Sequence, residues 1–402
     1  MSLLKSVFTL LMIGSTLLVA PTGCQTSTIM DPATVPVRTL VSSSLISDVS
    51  AVQLRGRYTG VSAAFQFFVR YGVSAYRIEY TTTNSDGTKI NASGAVLIPT
   101  EAGKPVPTAA MLSMQHGTIQ SDSDAPSNFG ISSEAYSLGS LFASQGYIIA
   151  APDYIGYGAS KQVPHTYEHR SGLATASLDM LRATREFLAD KNVNWDKRLF
   201  LAGYSEGGYA TMALQKKIEE ETGSEFNVVA SSCGAGAYDK TAFMRQIVSE
   251  RTSGIASINR LYVWVLLTYD RIYGLNRPMT YYFKEPYASQ VTAKGKDVDI
   301  SVSLNTTFTD SFKKAVADGT DANFLKAVQD NDIHDWKPRA PTRLYHGDAD
   351  ETVLYLNSQN AYEAMRKRGA VNVSLETLKG ANHASGILGF VTGTYSFFGT
   401  FQ

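Results

Sequence analysis

The residues of this chain that could do chemistry gather around Ser205. It stands in Gly203-Tyr204-Ser205-Glu206-Gly207-Gly208, after the apolar run Leu199 to Ala202 and before a helical pattern. Glycines two residues either side of a serine let a strand reverse sharply into a helix, because side chains there would block the crossing. The reversal would hold the Ser205 hydroxyl above a sheet edge, at the start of a helix, where a nucleophile belongs. The same spacing also serves as an ordinary glycine-lined turn, so its partners must decide.

A serine hydroxyl is a poor nucleophile until a base takes its proton, and that base is usually a histidine held by a carboxylate. The chain has six histidines. His383, in the glycine-rich "GANHASG" after the last strand-like run, can reach over a sheet edge to a central serine. His116 and His346 precede glycines at strand ends, His165 and His169 fall before a long helical pattern, and His334 falls in a helical region. The carboxylate should lie between serine and histidine in the chain. "YHGDADETV" offers Asp348, Asp350 and Glu351. Asp350 is two residues further from the strand end than Asp348 and better placed to reach His383. Asp348, against the strand end, is expected to accept loop amides instead. Asp153 precedes the serine and is expected to brace a tight turn.

A developing oxyanion needs backbone N–H donors. One is expected from Glu206, directly after the serine, and one from Thr118 in "QHGT", where Gly117 lets the loop bend. Histidine and carboxylate spacing suggests no metal site, and the chemistry calls for no cofactor.

The elements that must position these residues alternate. "AYRIEYTTT" and "INASGAVLIP" flank "NSDGTK", a hairpin with Asp-Gly at its tip. Strand-like "TAAMLSMQHG", "YIIAAPDY", "RLFLAGY", "FNVVASSCG", "PTRLYHG" and "VNVSLETLKG" are then separated by helical patterns, among them Gly172 to Ala189. That rhythm predicts an α/β fold, a mostly parallel sheet covered by helices on both faces, with antiparallel strands at one edge. Between Gly236 and about Pro338 the alternation stops and helical periods take over, predicting a helical cap inserted into the sheet domain. The boundaries expected are 38–235 and 339–402 for the core and 236–338 for the cap. Tyr262, Trp264 and Tyr269 of the cap, with Tyr204 beside the nucleophile, are the expected substrate-binding residues.

In this order "HGT", "PDYIGYG", "GYSEGG", "WKPRAPTRLYHGDADETV" and "GANH" make the chain after about residue 75 resemble the α/β-hydrolase superfamily, within it the secretory-lipase-like group. The resemblance implies a serine carboxylester hydrolase with a helical cap over its site, and an acid three residues after the strand-end glycine. The chain departs from that group at Glu206, where glutamine or glycine is common, and in lacking a cysteine pair in the cap. The alternatives are an amide or peptide hydrolase on the same scaffold, or an inactive surface-binding protein.

The flanking and bulk properties set the context. Lys5 and the apolar "VFTLLMIGSTLLVA" have the size of a signal-peptide core over 1–23, followed by a polar, proline-punctuated tether over 24–37. The "PTGC" that ends the run resembles a lipoprotein processing site, which would lipidate Cys24 and attach the exported chain to a membrane. With 36 acidic and 36 basic residues, the 402-residue chain carries no net charge, which disfavours nucleic acid as a partner. The expected partner is a small-molecule or lipid ester. Cys233 reads as a small buried hydrophobe rather than part of a disulfide framework.

Overall fold

The computed structural model describes residues 38–401. The expected signal peptide, tether and Cys24 lie outside them.

Ten strands form one sheet: β1 (Leu40–Val49), β2 (Gly72–Thr83), β3 (Lys89–Glu101), β4 (Lys104–Pro105), β5 (Ala109–Gln115), β6 (Tyr147–Pro152), β7 (Trp195–Tyr204), β8 (Asn227–Gly234), β9 (Thr342–Gly347) and β10 (Val373–Leu378). The helices are α1 (Ala51–Arg55), α2 (Ser140–Ser144), α3 (Arg170–Asp190), α4 (Glu206–Glu221), α5 (Lys240–Ser249), α6 (Ala256–Ile272), α7 (Met279–Tyr282), α8 (Tyr287–Lys294), α9 (Asp310–Asp318), α10 (Ala322–Gln329), α11 (Leu356–Lys367) and α12 (Gly386–Gly399).

The sheet order is β1-β2-β3-β6-β5-β7-β8-β9-β10, with short β4 beside β3. From β6 through β10 neighbouring strands are parallel, while β1, β2, β3 and β6 pair antiparallel. Strands β5, β6 and β7 are buried along most of their length, as expected of strands covered on both faces. One face packs on α2 and α12 through Leu141, Phe142, Phe390 and Phe398. The other packs on α3 and α4 through Leu178, Leu181, Phe187, Leu214 and Ile218. The elements unannounced in the sequence pattern include edge strand β1 and C-terminal helix α12.

Two features of this topology position the site. The chain runs from β5 to β6 on one side, then crosses to β7 on the other, so β5 and β7 lie side by side with Gln115 opposite Gly203. The loops leaving these two strands at their C-terminal ends diverge, which opens a crevice there. Between β8 and β9, which are themselves parallel neighbours, the chain leaves the sheet to form α5 through α10 and returns. These helices share an apolar core of their own, built around Phe243, Tyr262, Tyr282, Phe308, Phe312 and Phe324.

Candidate active site

The turn from β7 into α4 depends on its glycines. A Cβ on Gly203 would lie 2.3 Å from the Gly207 carbonyl oxygen, and one on Gly207 would lie 2.1 Å from that of Gln115. One on Gly208 would meet the Gly234 oxygen at 2.1 Å. All are backbone contacts that cannot yield. Between them Ser205 is held at φ +61°, ψ −124°, a conformation that costs a non-glycine residue about 1–3 kcal/mol. Its N–H donates to Gly234 O at 2.9 Å, which fixes the turn to β8.

The Ser205 hydroxyl faces His383 Nε2 at 2.9 Å, and His383 Nδ1 lies 2.6 Å from Asp350 Oδ2. These are the three residues expected from the sequence, and the loops after β7, β9 and β10 bring them together. The second Asp350 oxygen accepts from the amides of Thr352 and Val353 at 2.8 and 2.9 Å. Burial alone would raise this carboxyl. Hydrogen bonds from His346 and His383, with the Val353 amide, outweigh it and hold the group well below the usual carboxylate range. Asp348 turns away and accepts from the Gly380 amide at 2.6 Å.

On the other side of Ser205, the β5 loop passes close enough that a Cβ on Gly117 would lie 3.8 Å from Ser205 Cβ. The Gly117 amide donates to Glu134 Oε1 at 3.0 Å, whereas neither the Thr118 nor the Glu206 amide has an acceptor among the described residues. Asp153 is fully buried and accepts from the Ser127 amide and the Ser93 hydroxyl at 2.7 and 2.5 Å, the bracing role expected of it.

Ser205 lies on the walls of two cavities. A narrow inner one of about 30 Å³ runs under the helical insertion between Tyr167, Phe243, Leu261, Tyr262, Val265 and Tyr269. A wider one of about 300 Å³ is lined by Gly117, Thr118, Glu134, Leu138, His383 and Phe390. Tyr262 and Tyr269 therefore border the inner cavity, with hydroxyls bonded to Thr352 O and Glu168 O at 2.9 Å each. Tyr204 borders the wider one and donates to His383 O at 2.8 Å, bracing the histidine loop. Trp264 lines neither cavity and stacks on Tyr167 with ring centres 4.3 Å apart. Leu261, Tyr262, Val265 and Tyr269 share one stripe of α6 at helical spacing, and Trp264 falls off that stripe.

Several polar contacts of the site were not expected from the sequence. Glu206, whose side chain departs from the related group, is buried with its carboxylate 2.7 Å from His165 Nε2. His165 Nδ1 donates to Ile155 O at 2.6 Å. His346 lies behind the acid, with Nε2 2.7 Å from Val353 O and 3.4 Å from Asp350 Oδ2. Glu168 and Lys240 form a buried ion pair on the inner cavity wall. No sequence spacing joins them.

Asp239, Asp332 and His334 also come together, with one ligand-type atom of each within 4.8 Å of the others. The sequence showed no such cluster because the first lies far from the other two. Both carboxylates already have donors: Asp239 caps α5 at the Ala242 amide and takes Asn360, while Asp332 takes the Thr241 amide and hydroxyl.

A family model described as secretory lipase matches residues 120–389, well over half of the chain. The chain belongs to the secretory lipase family. The match reaches from just after Thr118 to α12, so it takes in the serine turn, the insertion and the loops of Asp350 and His383. The trichothecene C-3 esterase of Fusarium sporotrichioides is 28% identical over 195 residues. That stretch spans 45% of this chain and 42% of the relative, less than half the length of either. Among solved structures, a Legionella pneumophila protein superposes with a TM-score of 0.79 at 24% identity, covering 90% of this chain and 98% of that one. The rice cell wall degrading esterase LipA of Xanthomonas oryzae gives 0.74 at 23% identity, covering 87% and 94%. This family member thus has the α/β-hydrolase fold. Among its described residues no helix is long and apolar enough to cross a membrane.

Proposed function

We propose that the chain is an exported carboxylester hydrolase working through an acyl-enzyme on Ser205. The observation that carries this reading is the continuous contact from Ser205 Oγ through His383 to Asp350. In it Ser205 attacks the ester carbonyl as His383 Nε2 takes its proton. Asp350, ionised and tied down by two amides, keeps Nδ1 protonated and stabilises the imidazolium. The Thr118 and Glu206 amides receive the oxyanion. His383 then gives its proton to the leaving alcohol, and a water activated by the same histidine releases the acid.

The insertion serves as a cap, with the inner cavity taking the acyl group and the wider one the alcohol. Membership of a secretory lipase family supports both the ester chemistry and export. The esterase from Fusarium points the same way for the matched part of the chain. The test is hydrolysis of 4-nitrophenyl butyrate by the wild type and Ser205→Ala. The variant should stay folded and lose ~10⁴–10⁶ in turnover. A variant within tenfold of wild type would sink the mechanism.

A further inference from the structure

The inner cavity is mostly apolar, and its only charged lining residues among those described lie at the root of the insertion. There Glu168, in the loop before α3 and held at φ +48°, meets Lys240, the first residue of α5. Their exposures are 5% and 3%, and both border the same cavity as Ser205. The Lys240 ammonium donates to Glu168 Oε2 and sits 4.4 Å from the centre of the Tyr209 ring. An ammonium carries three donors. Only one finds an oxygen among the described residues, and Glu168 Oε1 receives none.

Such a pair is an expensive way to build a cavity wall, since apolar side chains of similar volume are often as stabilising or more so. Burial pushes the Glu168 carboxyl up and the Lys240 ammonium down, and their mutual attraction opposes both. Whichever of them holds the shared proton, the pair keeps both a donor and an acceptor for a third group. The space beside it is small. At about 30 Å³ it suits a short acyl group.

We propose that Glu168 and Lys240 form a specificity site for a hydroxyl on a short acyl group, so that the preferred esters are those of short hydroxy acids. This rests on the ester-hydrolase reading and on the inner cavity taking the acyl side. A hydroxyl donates to Glu168 and accepts from Lys240, while a methyl in its place leaves both groups unpaired, the situation in which polar sites discriminate most strongly. A pair that only tethers the insertion to the core would hold it in place without sensing the substrate.

The experiment compares kcat/KM for 4-nitrophenyl esters of butyrate, 2-hydroxybutyrate and 3-hydroxybutyrate, each normalised to its alkaline hydrolysis rate. The wild type should favour one hydroxylated ester at least ~10-fold over butyrate. Glu168→Leu/Lys240→Met, which keeps the bulk, should lose that preference while still hydrolysing butyrate. Equal normalised rates in the wild type would overturn the proposal whether or not the double variant folds. So would a folded double variant that retains the preference. A wild type that hydrolyses no ester and fails to react at Ser205 contradicts the hydrolase reading instead.

Discussion

Asp350 and Asp348 stand two residues apart in one loop and serve different partners. Asp350 faces His383 and is shielded from water, while Asp348 holds the Gly380 amide at the surface. Asp350→Asn should keep the fold but disfavour the working histidine tautomer, costing up to ~10⁴ in turnover. Asp348→Asn should leave turnover near wild type and lower only the melting temperature. The reverse pattern in steady-state rates and thermal melts would reassign the acid. Because the Asp350 carboxyl is held below its ordinary value, its ionisation favours the folded state above the unfolded pKa, ~3.9, and that contribution is lost as pH falls through the folded value. The stability gap between wild type and Asp350→Asn should therefore narrow from pH 6 towards pH 3 in denaturant titrations. A gap that widened would contradict the sign. At Glu206 the contact to His165 needs a proton between them, since His165 Nδ1 already donates to Ile155. A glutamine amide can supply it, so Glu206→Gln should stay active, whereas Glu206→Ala should cost about 1–3 kcal/mol by stranding a buried imidazole. Equal stability of the two variants by thermal melts would reject this. Sequence order and reach were enough to select Asp350. They said nothing of His165 meeting Glu206, because that contact depends on how two distant loops pack.

The elements turn these residues into a site through steric limits that glycine alone meets and through the stripe a helix presents. A Cβ on Gly207 would press on the Gln115 carbonyl, which β5 holds in register with β7. Gly207→Ala should lose ~3 kcal/mol or more, beyond ordinary overpacking, or fail to fold, as urea titration would show. On α6, Tyr262→Ala and Tyr269→Ala should change acyl-chain preference because they border the inner cavity. Trp264→Ala should lower the melting temperature and leave preference unchanged. A chain-length panel of nitrophenyl esters separates the two results. The apolar character of α6 was plain in the sequence, but not which stripe met the cavity, since nearly every side had an apolar or aromatic residue. Strand β1 was hidden by its polar, mostly exposed face, and α12 by glycines, β-branched residues and aromatics that disfavour an isolated helix. Burial of Phe390, Val391, Phe397 and Phe398 against the sheet overrides that propensity.

At the scale of the molecule, the sheet brings Thr118, Ser205, Asp350 and His383 to one edge from stretches far apart in the chain, and the insertion covers Ser205 with an apolar cavity. The alternation of strands and helices made the sheet legible, and its interruption made the insertion legible. The cavities were not, because they form where the insertion's core meets loops of the sheet domain, which no local pattern encodes. The central claim is that Ser205 is the one activated nucleophile of this assembly. Treating the folded protein with a fluorophosphonate and mapping the adduct by peptide mass spectrometry tests it directly. A single stoichiometric adduct is expected on the peptide carrying Ser205, absent from Ser205→Ala. Labelling on another residue, or none on a protein that still hydrolyses esters, would contradict it.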